Sequence, residues 1–503
     1  MSGAPQPSLL LRNARLVGRD GQPTDILLED GLVSALAQGI APGPAQVVDL
    51  DGRFVAPGLW DNHVHMEQWA LVRQRLDVSS AGSAREAADL VARRIREGRP
   101  ADRDLLVGYG FRDALWPDAP DLVLLDAAGA ALGEAVPVAL VSADLHAVWL
   151  NSAGLALIGL PPEASPTGLL REQAAFDAST AITAVDSTRM DDWVADAAKA
   201  AATRGVVGVV DLEMTLSLGA WTTRVGDGID QLRVRCGVYP SDLDIVIARG
   251  LRTGDILPGT DGLVEMGPFK VITDGSLNTR TAYCHDPYPM VDGRAGGVGL
   301  PTFTLDELVA LMSRASGAGL VPAVHAIGDH ANTLALDAYE RVGCRGTIEH
   351  AQLLRWADVA RFARLGVTAS VQPEHAMDDR DIAEVYWPGR TDRAFALETL
   401  EAAGVALRLG SDAPVAPLDP WVAISAAVTR SRDGREPWHP AQRVSAAVAL
   451  AASTDGRSSV AVGSVADLAV LVADPLAAES TEALRDMAVD ATLLGGRFTH
   501  SAL

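Results

Sequence analysis

Cysteine is nearly absent. Cys236, Cys284 and Cys344 are the three in 503 residues, far apart and without paired spacing. That argues against a disulfide framework and against a cysteine-based zinc site, and leaves all three as small buried side chains. Basic residues are also in short supply, with 42 Lys and Arg against 65 Asp and Glu and a net charge of −23. Nucleic acid and anionic membrane surfaces both call for a basic face, so neither is an expected partner. No apolar stretch approaches membrane-spanning length. The N-terminal MSGAPQPSLLLR has a short apolar run cut off by arginine, without the long apolar region of a secretory signal. A cytoplasmic protein with a small-molecule substrate is the expectation, and a homodimer is the default assembly. No Gly-x-Gly-x-x-Gly follows any apolar run, which disfavours a doubly wound dinucleotide-binding sheet.

What is present points to a large folded globular protein. Hydrophobic residues are 48% and charged residues 21%, and the length allows more than one domain. Residues 8 to 57 read as short strands and turns, with Asp30-Gly31 a hairpin signal. The far C-terminus has the same character, so residues 1–57 and 451–503 are expected to meet in one small β-sandwich. Between them, residues 58–450 alternate apolar runs with helical segments. Eight candidate strands lie at 55–65, 206–213, 232–239, 263–273, 320–327, 346–352, 367–372 and 405–411. That pattern is the signature of an α/β protein with a (β/α)8 TIM-type barrel. Helices are expected at 84–97, 192–203, 304–318, 331–342, 356–365 and 391–403. Residues 70–190 exceed one crossover and read as an insertion after the first strand, a candidate substrate lid.

The stretch Asp61-Asn62-His63-Val64-His65 places two histidines two apart, so in an extended strand both point to one side. Two adjacent imidazoles suit a divalent metal such as zinc. Other metal-ligating side chains end later strands: Lys270 in the fourth, His325 in the fifth, His350 in the sixth and Asp412 in the eighth. In a barrel these ends converge on one mouth. Lys270 stands among Phe269, Val271 and Ile272, where burial would lower its pKa. A neutral amine can take up carbon dioxide as a carbamate, an anionic ligand with two oxygens. An ion-paired lysine is the alternative.

These residues, with Ala56-Pro57-Gly58, Asp144-Leu145-His146-Ala147-Val148-Trp149, Asp274-Gly275-Ser276-Leu277, Arg280-Thr281-Ala282, His325-Ala326-Ile327-Gly328-Asp329, Ile348-Glu349-His350-Ala351-Gln352 and Gly410-Ser411-Asp412-Ala413-Pro414, resemble the amidohydrolase superfamily. Within it, the chain is most similar to the branch containing N-substituted formamide deformylases. The resemblance implies that His63 and His65 hold one metal, His325 and His350 a second, and carboxylated Lys270 bridges both. Asp412 would touch the first metal and shuttle the proton. Two divalent ions of zinc type are thus expected, one being the alternative. His146, Trp149, Arg280 and His375 are candidate substrate contacts, and Asp274 and Asp329 candidate supports for the ligands.

The chain departs from the branch at Asn278-Thr279, where Gly-Ser is common, at His330, where arginine is usual, and before Asp467, where a Pro-Gly-Lys turn is missing. The first two bear on the substrate more than on the chemistry. The expected activity is hydrolysis of a linear amide of N-formyl or N-acyl type. A cyclic amide or lactone hydrolase would use the same site. A deaminase is disfavoured, because no glutamate stands three residues after His325. A non-catalytic scaffold would be expected to have lost ligands, and none of the six positions has.

Overall fold

The computed structural model describes residues 8–98, 105–111, 113, 116–142, 147–161, 165–171, 173–183, 187–290, 296–478 and 480–503. The chain divides into two compact units, one of Met1–Trp69 with Ala195–Leu503 and one of Ala70–Val194.

The larger unit holds an eight-stranded parallel sheet. Its barrel strands, first to eighth, are Leu59–Val64, Val206–Asp211, Arg233–Val238, Val264–Ile272, Pro322–Ala326, Gly346–His350, Val367–Val371 and Leu407–Leu409. Each pairs in parallel with the next. A parallel bridge between Val64 and Ala413 links the first strand to the eighth. The first and second strands are buried along their whole length, as strands covered on both faces must be. Helices fall between the later strands for local reasons. Leu305–Gly317 starts with a reciprocal capping box between Thr304 and Glu307. Asp329–Val342 and Trp356–Leu365 each end on a glycine in the left-handed region, Gly343 at φ 70° and Gly366 at φ 65°. The expected helix over 391–403 is not continuous. It splits into a 3-10 turn, Thr391–Arg393, and a helix, Leu397–Ala402. Phe395 lies between them at φ 52°, and its N–H leaves the helical ladder to donate to the Gln352 carbonyl at 2.7 Å.

The same unit carries a second eight-stranded sheet built from both chain ends. Strand Phe54–Pro57 pairs antiparallel with Leu468–Leu471, and so joins N-terminal to C-terminal strands. One core serves both, with Leu11, Ile26 and Val55 packed beside Leu468, Val470 and Leu493. The first strand of this sheet, Leu9–Leu16, is interrupted by an irregularity at Asn13, φ 56°. Asp30 and Gly31, at φ 49° and 77°, make the hairpin turn as the sequence predicts.

The inserted unit has its own five-stranded sheet. Strand Val138–Ser142 sends Val138 and Leu140 into one core and Ala139 and Val141 into another, the two-residue period of a sheet covered on both faces.

Candidate metal centre

The site assembles where the first and eighth barrel strands meet. The Asp412 N–H donates to the His63 carbonyl (2.7 Å), and the His65 N–H donates to the Ala413 carbonyl (2.8 Å). Asp61, buried beside them, accepts from Ser411 N–H (2.9 Å) and His63 N–H (3.2 Å) through one carboxylate oxygen. Burial raises the Asp61 pKa to about 7 against these hydrogen bonds. Gly410 is required by this closeness, since a Cβ there would lie 2.8 Å from His63 N and 2.9 Å from His63 Cβ. Beyond His65 the chain turns into a helix whose first N–H groups are held by the end of the second strand and the residues just after it. Asp211 accepts from Met66 N–H, and Glu213 accepts from Glu67 N–H.

Around this seam the six candidate ligands come together. The Nε2 of His63 lies 3.4 Å from Asp412 Oδ1 and 3.4 Å from Lys270 Nζ. The Nε2 of His65 lies 3.3 Å from the same Asp412 oxygen. The ring of His350 is 5.2 Å from that of His63 and 4.5 Å from that of His325. One ligand atom each from His63, His350 and Asp412 falls within 4.8 Å of the others. His350 and Asp412 both occupy the left-handed region, at φ 71° and 57°. Non-glycine residues hold that conformation at a cost, and such strain gathers at functional sites. At His350 the consequence is visible. Successive strand residues face opposite ways, yet Glu349 and His350 both address His63, because the backbone leaves the extended region between them.

Glu349 was quoted within a motif by sequence reading but given no role, and it is central. Its Oε2 sits 2.8 Å from His63 Nδ1. Burial pushes the Glu349 carboxyl upward, but the His63 hydrogen bond and Lys270 outweigh that and hold it at about 2. Burial and Lys270 push the His63 pKa down to about 4. The pair is therefore a carboxylate and a neutral imidazole. A carboxylate only accepts, so the proton sits on Nδ1, and the Nε2 lone pair faces Lys270 and Asp412. Burial lowers the Lys270 pKa, with Glu349 and Asp412 opposing. Burial raises Asp412 as well, but His63 and the His65 hydrogen bond keep its carboxyl well below the usual range. The only sequence signal for Glu349 was a carboxylate inside an apolar strand, next to a ligand-type histidine.

The donor set fits divalent metal. Among the described residues, Nδ1 of His65, Nε2 of His325, Nδ1 of His350 and Nε2 of His375 are buried without a hydrogen-bond partner. Buried polar atoms are normally satisfied. Unsatisfied imidazole nitrogens on neighbouring histidines beside carboxylates are what a bound cation would help to satisfy.

The remaining candidates divide. His375 begins helix His375–Tyr386, just after the seventh strand. Its Nε2 is 3.9 Å from Asp412 Oδ2, so it belongs to the site. Asp274 accepts from the N–H groups of Ile327, Gly328 and Tyr283, and its Oδ1 lies 3.3 Å from His325 Nε2, close but without hydrogen-bond geometry. Asp329 accepts from His285 N–H (2.9 Å) and from Arg393 (3.3 Å), bracing the loop after the fourth strand. Arg280 is exposed, with its guanidinium 5.5 Å over the Tyr386 ring. Trp149 is not a pocket residue. It is wholly buried in one core of the inserted unit, because strand Ala147–Leu150 is covered on both faces. His146 lies outside the described residues.

A barrel that gathers four histidines, a buried lysine and an aspartate at the C-terminal ends of its strands is the architecture of a metal-dependent hydrolase. The chain belongs to the Amidohydrolase family, which it matches over residues 46–500, and is a hydrolase of carbon–nitrogen bonds. It is 28% identical to the protein LONG AFTER FAR-RED 3 of Arabidopsis thaliana, over 89% of this chain and 79% of that one. It is 26% identical to the N-substituted formamide deformylase of Arthrobacter pascens, over 91% and 90%. A metal-dependent hydrolase from Pyrococcus furiosus has a similar solved structure, with TM-score 0.75 and 26% identity, covering 93% of this chain and 100% of that one. Among the described residues, no helix is long and apolar enough to cross a membrane.

Proposed function

We propose that the protein hydrolyses a linear amide, of N-formyl or N-acyl type, with two zinc-type ions held by His63, His65, His325, His350, Asp412 and a carboxylated Lys270. The observation that carries this reading is the convergence of Asp412 with His63, His65 and Lys270 at one point of the barrel mouth. Likeness to the formamide deformylase across most of both chains supports the linear-amide class. Divalent ions held by these residues would supply Lewis acidity for the hydrolysis of the amide.

The chain's own groups do the rest. Glu349 fixes the His63 tautomer, leaving Nε2 as a donor lone pair. Asp412, kept ionised, takes a proton from the attacking water and returns it to the leaving nitrogen. His375 presents Nε2 to the same space and is placed to hydrogen-bond the carbonyl oxygen. The lowered pKa of Lys270 favours the free amine that carbamate formation needs. The protein works in the cytoplasm.

The test is metal analysis of the purified protein, followed by chelation and return of zinc with and without bicarbonate. About two ions per chain and bicarbonate-dependent recovery on N-formyl or N-acyl substrates are expected. A metal-free protein that stays inactive after reconstitution refutes the reading, and turnover confined to lactams, lactones or ring amidines refutes the substrate class.

A further inference from the structure

Barrel interiors are normally closed below the active site by layers of branched apolar side chains. Here a cavity of about 430 Å³ opens at the N-terminal end of the strands. Arg235, Glu265, Arg408 and Asp455 stand among its lining residues, which reach inward to Asn62, Ser370 and Glu349. Its volume has room for on the order of ten waters.

Two observations show that the chamber is built for a polar occupant. Asn62 is buried, and its Nδ2 donates to the carbonyls of Leu409 (2.8 Å) and Ala452 (3.3 Å), which fixes the amide. Its Oδ1 then has no donor, and the buried Ser370 Oγ also has no partner, among the described residues. Both residues line the chamber. Unsatisfied buried oxygens of this kind are the usual seats of ordered water. The chamber also ends on Glu349, the carboxylate that holds His63 Nδ1 at 2.8 Å.

We propose that this chamber is a second, water-filled entrance, through which solvent reaches the Glu349–His63 pair from the side opposite the substrate. Water and small solutes, up to the size of a short-chain organic cation, are its occupants. Solvent then keeps access to the back of the site while substrate or product fills the mouth.

Thiol labelling tests this without reference to turnover or substrate. Ser370→Cys nearly preserves size, and its thiolate attacks a small cationic methanethiosulfonate, forming a mixed disulfide and releasing the sulfinate. Cys236 and Cys284 are buried and Cys344 half-buried, so wild-type protein gives the background rate. With metal-loaded protein, Ser370→Cys is expected to label at least tenfold faster than that background, although the residue is only 1% exposed. Adding Val321→Trp, a plug at the exposed outer rim of the chamber, is expected to slow labelling at least tenfold. Folded Ser370→Cys protein that labels no faster than wild type overturns the proposal. Labelling that ignores the Val321→Trp plug overturns it equally, since the reagent would then arrive by another route.

Discussion

Glu349→Gln is the sharpest probe of the site. The substitution keeps the shape of the side chain and removes its charge. In the native protein Glu349 Oε2 meets His63 Nδ1 at 2.8 Å in a buried setting, and Lys270 adds a favourable field. A hydrogen bond to a charged group contributes roughly 1.5–3 kcal/mol. Glutamine can still accept the Nδ1 proton through its amide oxygen, as a neutral bond of about 0.5–1.5 kcal/mol, so the lost part is about 1–1.5 kcal/mol. At 1.4 kcal/mol per tenfold, that is about a 5- to 12-fold loss of metal affinity, near the low end of the range typical of partners that orient metal-binding histidines. Glu349→Leu removes the acceptor too and leaves the Nδ1 proton buried without a partner, so its loss should be larger by a further ~1–3 kcal/mol. The assay is zinc competition with a chromogenic chelator, alongside denaturant unfolding of the metal-free proteins. Metal affinity within twofold of wild type in the glutamine variant would refute the argument that Glu349 sets the His63 lone pair.

Other perturbations test separate links. Asp412→Asn should keep most of the metal and lose several orders of magnitude in kcat, and near-normal turnover would remove Asp412 as the proton carrier. Gly410→Ala should cost ~1–3 kcal/mol of stability by overpacking and lower metal retention, because the new methyl meets His63 backbone and Cβ; unchanged denaturant midpoint and zinc content would count against the seam. Asp455 holds Arg235 with two hydrogen bonds, at 2.8 and 2.9 Å; burial raises its pKa, but Arg235 together with Arg408 and Arg457 lowers it more. A depressed folded pKa stabilises above the unfolded value near ~3.9 and fades as pH falls through the folded one. The stability gap between wild type and Asp455→Asn should therefore be full at neutral pH and shrink below about pH 4, and a gap that grows on acidification would contradict the sign.

The barrel was legible because strands such as Val206–Asp211, Pro322–Ala326 and Val367–Val371 are short, largely apolar runs, and helical segments alternate with them. Buried parallel strands cannot read otherwise. His63 and His65 were legible from their spacing, and Lys270 from a charge set among apolar neighbours. Trp149 misled because strand Ala147–Leu150 is buried on both faces, which erases the alternation that tells a pocket wall from a core. The helix over 391–403 misled because its break lies in a long-range hydrogen bond, Phe395 N–H to Gln352 carbonyl, that no local propensity encodes. Glu349 gained no role for the same reason: its partner is 286 residues away.

That separation explains more than one missed residue. His63 and Asp412 belong to the two strands whose meeting closes the barrel, and their link is the Asp412 N–H donating to the His63 carbonyl. Asp61 accepts from both sides of the same seam, and Gly410 leaves out a side chain so that the two can touch. Closing the sheet and assembling the ligands are thus one structural event. In a chain with the seam parted, His63 and His65 remain neighbours, but Asp412 no longer stands beside them and the pocket has no reason to bind tightly. Metal binding and barrel closure must therefore stabilise each other, since a ligand that binds only the closed form stabilises that form by mass action. This coupling accounts for the strain accepted at Asp412 and His350 and for the carboxylates buried at Asp61 and Glu349. None of these residues is what a barrel of this kind would choose for stability alone, and all of them lie within reach of His63.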